Sequence, residues 1–197
     1  MAEVSDRARW NRKYGLGEGP AHFEPQDFLV RHAGLLRPGG LALDVACGFG
    51  GNALYLADQG YTVDAVDVSE VALEAASAEA ERRGLRDRVR FVQVDLDRWP
   101  VPPDRYNAIV VFFYLNRALF PRLARGLHPG GLLFQANRNR RHLKIRPDFS
   151  PDYLLEVGEL RCMAEAAGLQ VLHYADGTPE RDSDSFLIAR RPGSPSF

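Results

Sequence analysis

Seven short apolar runs recur along the chain, each stopped by glycine, proline or acidic residues and most followed by a stretch of helical periodicity. Few folds other than a layered α/β sheet accept that alternation. The first run, Leu41-Ala42-Leu43-Asp44-Val45-Ala46, is introduced by Pro38-Gly39-Gly40 and stopped by glycines at 48, 50 and 51. Thr62 to Asp67, Val89 to Asp95, Ala108 to Tyr114, Leu132 to Ala136, Gln170 to Tyr174 and Phe186 to Arg190 are the other six expected strands. Helices are expected from Asn52 to Gln59, from a Ser69 cap to Arg83 with Gly84 as the left-handed stop, from Asn116 to Leu127, and near Leu155 to Ala167. Pro129-Gly130-Gly131 reads as a turn. The expected fold is a doubly wound α/β sheet.

Before the first strand lies an opening segment with a helix around Arg7 to Lys13, a Gly15-to-Pro20 link rich in glycine, and a second helix from Pro25 to Leu36. It reads as either a lid or a packing segment on the core. At 197 residues one domain is the expectation: residues 1–36 as the helical segment, 37–192 as the core and 193–197 as a tail. The 25 basic and 26 acidic side chains leave a net charge of −1, without the positive footprint of a dedicated nucleic-acid binder. Two cysteines, Cys47 and Cys162, make no disulfide framework, and the five histidines show no ligand spacing, so no metal is expected. The longest apolar run, Ala108 to Leu115, is too short to span a bilayer, and a cytoplasmic location is expected.

In a parallel sheet, ligands sit at the carboxyl ends of strands. The first such end carries Asp44-Val45-Ala46-Cys47-Gly48-Phe49-Gly50-Gly51-Asn52, where glycines let backbone approach a ligand and a helix N-terminus follows. The second ends at Asp67, 23 residues after Asp44, where a carboxylate suits the two hydroxyls of a ribose. The third ends with Asp95-Leu96 and the fourth with Phe112-Phe113-Tyr114. Gly-x-Gly followed by Ala53 also fits a dinucleotide fingerprint. Asp44 weighs against that: four residues ahead of the first glycine, an acid repels pyrophosphate and suits an ammonium or sulfonium. One such charge pair is worth roughly 4 kcal/mol at 4 Å and an effective dielectric near 20.

Through Leu43-Asp44-Val45-Ala46-Cys47-Gly48-Phe49-Gly50, Val66-Asp67-Val68-Ser69, Val94-Asp95-Leu96 and Pro129-Gly130-Gly131, the chain resembles the class I S-adenosylmethionine-dependent methyltransferases over residues 35–190. Trp10-Asn11-Arg12-Lys13-Tyr14 and Gly51-Asn52-Ala53-Leu54-Tyr55-Leu56-Ala57 look like the tellurite-resistance and thiopurine methyltransferase group. The resemblance implies a seven-stranded, mostly parallel Rossmann-like sheet with its last strand antiparallel and helices on both faces. It further implies S-adenosyl-L-methionine as cofactor, with Asp44 and the backbone at Ala46, Gly48 and Gly50 on its methionine part and Asp67 on the ribose. Val68 is expected against the adenine, Asp95 and Leu96 at the adenine edge, and Phe112 beneath the methyl. Trp10 and Tyr14 are expected to close over the cofactor. Cys47 is grouped with the site but reads as a strand-end filler rather than a nucleophile. Asn52 is either a cofactor contact or a helix cap.

The basic stretch from Arg138 to Arg146 follows the fifth strand on the side where an acceptor would approach, which makes Tyr114, Arg138 and His142 the candidate acceptor contacts. The fourth strand end lacks the Asn/Asp-Pro-Pro-aromatic signature of nucleic-acid amino methyltransferases, and no Pro-Cys pair is present. A small acceptor is therefore expected: a thiol, a selenium or tellurium oxyanion, or another small nucleophile. Methyl transfer needs alignment rather than a protein nucleophile, so no catalytic residue is assigned. A cofactor-binding regulator without catalysis and an NAD(P)-dependent oxidoreductase are the alternatives.

Overall fold

The computed structural model describes residues 6–15 and 22–193; positions 16–20 of the glycine-rich link and 194–197 of the tail lie outside the described residues. Seven strands follow the order β3-β2-β1-β4-β5-β7-β6, a mixed and mostly parallel sheet of the Rossmann-like type. The chain divides into two compact units, residues 1–99 and 100–197.

The first unit begins with helices α1 (Asp6–Gly15) and α2 (Asp27–Arg31). It continues through β1 (Leu41–Val45), α3 (Gly51–Asp58), β2 (Thr62–Asp67), α4 (Glu70–Arg82) and β3 (Val89–Gln93). β2 pairs in parallel with β1 on one side and β3 on the other. Leu43, Val45, Val63, Ala65 and Leu54 are fully buried. Each buried Leu or Val contributes about 1.5–3 kcal/mol over its exposed state, which is why these short runs hold as strands. Ser69 caps α4 by accepting the Ala72 N–H at 3.3 Å, and Gly84 beyond its end takes φ +70°. The second opening helix is shorter than expected. His32 leaves helical geometry at φ −110°, ψ 14°, and a 3-10 turn over Ala33–Leu35 replaces the rest.

The second unit holds β4 (Tyr106–Phe112), α5 (Phe120–Gly126), β5 (Leu127–Arg138), α6 (Glu159–Ala166), β6 (Gln170–Asp176) and β7 (Asp184–Arg190). β4 and β5 are parallel, and β7 runs antiparallel to both β5 and β6. Several boundaries differ from expectation for local reasons. β4 stops at Phe112 because Phe113 turns to φ +58°. Asn116 does not open α5; its Oδ1 accepts the Leu119 N–H at 2.9 Å, forming a capped turn before Phe120-Pro121 starts the helix. Pro129-Gly130-Gly131 is a bulge inside β5: Tyr106 pairs with Leu127 and Ala108 with Leu132, so β5 carries three extra residues there. Leu155 joins an isolated bridge to Asn139, and α6 begins only after Gly158 at φ +88°. Among the described residues no helix is long and apolar enough to cross a membrane.

Candidate functional site

The first unit gathers its acids and glycines around the turn after β1. Ala46, Gly48 and Gly50 take φ of +54°, +53° and +75°, and the Gly50 N–H donates to the Cys47 carbonyl at 2.9 Å. Alanine in that region costs about 1 kcal/mol, strain that collects at functional turns. A Cβ on Gly51 would stand 2.3 Å from the Glu24 carbonyl oxygen, so the start of α3 accepts no side chain. A Cβ on Gly48 would stand 2.9 Å from the Tyr14 hydroxyl, so the bare loop backbone is what a neighbour meets.

Asp44 is 1% exposed, and its Oδ2 has no hydrogen-bond partner among the described residues. Burial pushes its carboxyl up to about 8, the Ala53 N–H opposes that, and the Asp67 carboxylate adds to it. What faces Asp44 among the described residues is therefore an amide dipole and a second acid, with no cation acting on it. A buried acid with an idle oxygen, whose ionised form lacks a balancing charge, fits a cationic ligand group that would ionise it and disfavours a phosphate.

Asp67 is also buried; its Oδ2 accepts the Gly48 N–H and its Oδ1 the Ser69 N–H, each at 2.9 Å. Burial raises its carboxyl, and the N–H groups of Ser69, Gly48 and Val68 pull it back. Two carboxylate oxygens offer about four acceptor positions, so those bonds leave room for ribose hydroxyls. This carboxylate ties the glycine turn to the start of α4. Val68 is half-buried, and its carbonyl accepts from the Gln93 amide at 3.1 Å.

Helix α1 adds aromatic cover within the same unit. Trp10 stacks on Tyr14 with centroids 5.8 Å apart, and Tyr14 meets the Phe49 ring edge-on at 4.9 Å. Burial, then the Asp67 and Cys47 side chains, raise the Tyr14 phenol well above its ordinary range, so it stays neutral. The sequence reading passed over Asn11. Its Oδ1 accepts the Ser69 hydroxyl at 2.7 Å and its Nδ2 donates to Glu70 at 3.0 Å, pinning α1 beside Asp67.

Other expected residues fall into plainer places. Gly50 is the N-cap position of α3, so Asn52 is not the cap; its Oδ1 instead accepts the Gln26 N–H at 2.9 Å. Burial pushes the Cys47 thiol well above its ordinary range, with Asp44 and Asp67 adding to the effect, which makes it inert. Asp95 is exposed and lies beyond β3; its Oδ1 accepts the Asp97 N–H at 3.1 Å, and Leu96 beside it is buried.

In the second unit Phe112 is buried at the end of β4, and the half-buried Tyr114 hydroxyl accepts from the Asn116 amide at 3.4 Å. The Arg138 guanidinium lies 5.2 Å from the Phe113 ring centroid and 3.6 Å from Asp184. His142 is buried against the Phe149 ring edge, centroids 5.1 Å apart, and its Nδ1 has no partner among the described residues. Sequence reading missed Asp184, because only the antiparallel register of β5 and β7 sets it opposite Arg138.

Residues 42–131 match the family described as a methyltransferase domain. The chain is 26% identical over 182 residues to sterol 24-C-methyltransferase ERG6B of Gibberella zeae, covering 83% of this chain and 48% of that protein. It is 30% identical over 163 residues to hemagglutinin 1 of Eikenella corrodens, covering 77% of this chain and 54% of that protein. The chain thus spans about half the length of these curated relatives. Among solved structures, phosphoethanolamine N-methyltransferase 2 of Haemonchus contortus, in complex with S-adenosyl-L-methionine, superposes with a TM-score of 0.78 at 17% identity. That match covers 97% of this chain and 61% of the other. The cyclase SpnF superposes with a TM-score of 0.69 at 22% identity, covering 90% and 86% of the two chains.

Proposed function

We infer that the chain is a class I S-adenosylmethionine-dependent methyltransferase acting on a small-molecule acceptor. The observation that carries this reading is the idle Oδ2 of buried Asp44, near the end of β1 just ahead of a turn of left-handed residues, and opposed by a second buried acid rather than by a cation. The methyltransferase-domain match over residues 42–131 supports it. A fold shared with a cyclase carries no reaction by itself, so the site has to.

In this reading Asp44 takes the ammonium of the methionine part, and the backbone at Ala46, Gly48 and Gly50 lies along it. Asp67 accepts the ribose hydroxyls, Val68 flanks the adenine, and Asp95 and Leu96 meet its edge. Trp10 and Tyr14 on α1 close over the nucleoside, Asn52 holds the segment behind the turn, and Phe112 forms the floor beneath the methyl. The cofactor supplies an electrophilic methyl on a sulfonium. The chain's own residues bind, orient and exclude water, and orientation alone supplies roughly 7–11 kcal/mol of barrier lowering. Residues 1–197 act as one cytoplasmic methyltransferase domain, with 1–36 as its helical lid, 37–192 as its core and 193–197 as its tail. The finer likeness to the tellurite-resistance and thiopurine group rests on the Trp10-to-Tyr14 opening and residues 51–57.

Incubation with methyl-labelled S-adenosylmethionine and a panel of thiols, selenite, tellurite and phenols tests the reaction. Label transferred to at least one acceptor, and lost with Asp67→Ala, is expected. Tight S-adenosylhomocysteine binding without turnover on a broad panel would favour a regulator instead.

A further inference from the structure

The two acids of the first unit are sealed from solvent in this conformation. Asp44 is 1% exposed with its idle Oδ2 closed to water, and Asp67 is 5% exposed. A nucleoside held by these acids therefore enters or leaves only when something above them moves. The Tyr14 ring covers the turn that holds Asp67. Its hydroxyl lies so close over Gly48 that a Cβ there would stand 2.9 Å away, and the Asp67 and Cys47 side chains both act on its phenol. Gly48 in turn gives its N–H to Asp67.

The elements around the turn differ in how firmly they are fixed. Leu29 on α2 is fully buried, and the chain just before it is fastened by the Gln26 N–H on Asn52 and by the Glu24 carbonyl packed on Gly51. α4 buries Ala72, Leu73, Ala76 and Ala80. α1 buries no residue. Its half-buried residues are Trp10, Asn11 and Tyr14, on one stripe because Trp10 and Asn11 precede Tyr14 by four and three positions; the rest of the helix is exposed. Ten residues are too few for a helix to hold by itself in water, so the stripe decides where α1 stays. Its polar contacts form a chain: Asn11 Oδ1 accepts the Ser69 hydroxyl at 2.7 Å, Asn11 Nδ2 donates to Glu70 Oε1 at 3.0 Å, and Gln93 Nε2 donates to Glu70 Oε2 at 3.1 Å. These bonds are exposed or part-buried, so water replaces them at little cost. The edge-on contact of Tyr14 with Phe49 parts without breaking a hydrogen bond.

We propose that α1 is a gate latched by Asn11 to Ser69 and Glu70, and that its opening limits how fast S-adenosylmethionine enters and S-adenosylhomocysteine leaves. The proposal rests on the methyltransferase reading above and adds a kinetic step to it. The latch closes on the free site as well as on the loaded one, so its loss acts on both directions of exchange. Only the open fraction of the free protein takes up ligand, and the apparent association rate scales with that fraction. A loaded site adds the contacts of Trp10 and Tyr14 with the nucleoside and keeps the gate more fully shut. Weakening the latch therefore speeds entry only until the free gate stands mostly open, whereas release gains in full. Affinity falls while entry quickens. Asn11 is a positioning residue in this scheme, since it acts through α1.

The test is exchange of labelled S-adenosylhomocysteine by the full chain, followed by rapid filtration. Asn11→Ala should release the label about tenfold faster, the weight of two exposed hydrogen bonds, and should also take it up about two- to fivefold faster. A residue that merely packs α1 on the core would leave uptake unchanged or slow it. In a second variant, Asn11→Cys with Glu70→Cys and Cys162→Ser, a short bismaleimide ties α1 to α4 while the buried Cys47 is left unmodified. The tied chain should take up label about 100-fold more slowly than the untied one, and a chain tied after loading should retain its label through gel filtration. Unchanged or slower uptake by Asn11→Ala, or exchange by the tied chain as fast as by the untied one, overturns the gate. Failure of the wild-type chain to bind S-adenosylhomocysteine at all overturns the methyltransferase reading instead.

Discussion

Replacing Asp44 with asparagine should stabilise the ligand-free protein at neutral pH while destroying its affinity for a cationic nucleoside. The carboxyl rises from about 3.9 in the unfolded chain to about 8 in the fold. The folded protein therefore retains a proton that the unfolded chain has already lost, and the unfolded state binds fewer protons between those values. Stability linked to Asp44 is thus fully present below about pH 4 and is lost as pH rises toward 8. Between about pH 5 and pH 7.5 the loss integrates to at most about 3 kcal/mol, with local relaxation reducing it. The side-chain amide of the variant cannot titrate, so urea unfolding of wild type and Asp44→Asn at those two pH values should show the variant gaining by up to that amount on going to the higher pH. Saturating S-adenosylhomocysteine should flatten the wild-type dependence, because its ammonium favours the ionised acid. A difference between the two proteins that ignores pH, or one that shrinks as pH rises, would refute the reasoning.

Asp67→Ala leaves the Gly48 and Ser69 N–H groups without their buried acceptor, so thermal unfolding should report a loss of about 1–3 kcal/mol and calorimetry a fall of at least 100-fold in S-adenosylhomocysteine affinity. Ala46→Gly removes the strain of a left-handed alanine, and denaturant unfolding should show no loss, or a gain of up to about 1 kcal/mol, where alanine-to-glycine changes ordinarily destabilise. In a Trp99→Phe background Trp10 is the single tryptophan, and its emission should respond to S-adenosylhomocysteine. Asn11→Ala, which frees α1 from Ser69 and Glu70, should weaken that response and raise Kd several-fold.

How much was legible depended on whether the deciding contact was local. β2 matches its expected span end for end, because Val63 to Asp67 is a continuous buried run that follows the Gly60 turn. The Ser69 cap and the Gly84 stop were equally readable, since a helix end is set within a few residues. Pro129-Gly130-Gly131 looked like a turn and became a bulge because β5 continues its pairing on both sides. The last strand's reversed direction depended on the hydrogen bonds of β7 with β5 and β6, which no spacing reveals. In the site, Asp44 and Asp67 stood out as acids within apolar runs, where burial makes an acid costly. Asn11 and Asp184 carried no such mark. Each acquires its partner across 58 or 46 positions of chain, Ser69 in one case and Arg138 in the other.

The most direct test of the account is a calorimetric titration of the wild-type chain with S-adenosylmethionine and, separately, with NAD, at pH 7 in two buffers of different ionisation heat. A cationic nucleoside that ionises buried Asp44 should bind with net release of up to one proton, and NAD should not bind. Binding of NAD in place of S-adenosylmethionine, or sulfonium binding whose heat is the same in both buffers, would contradict it.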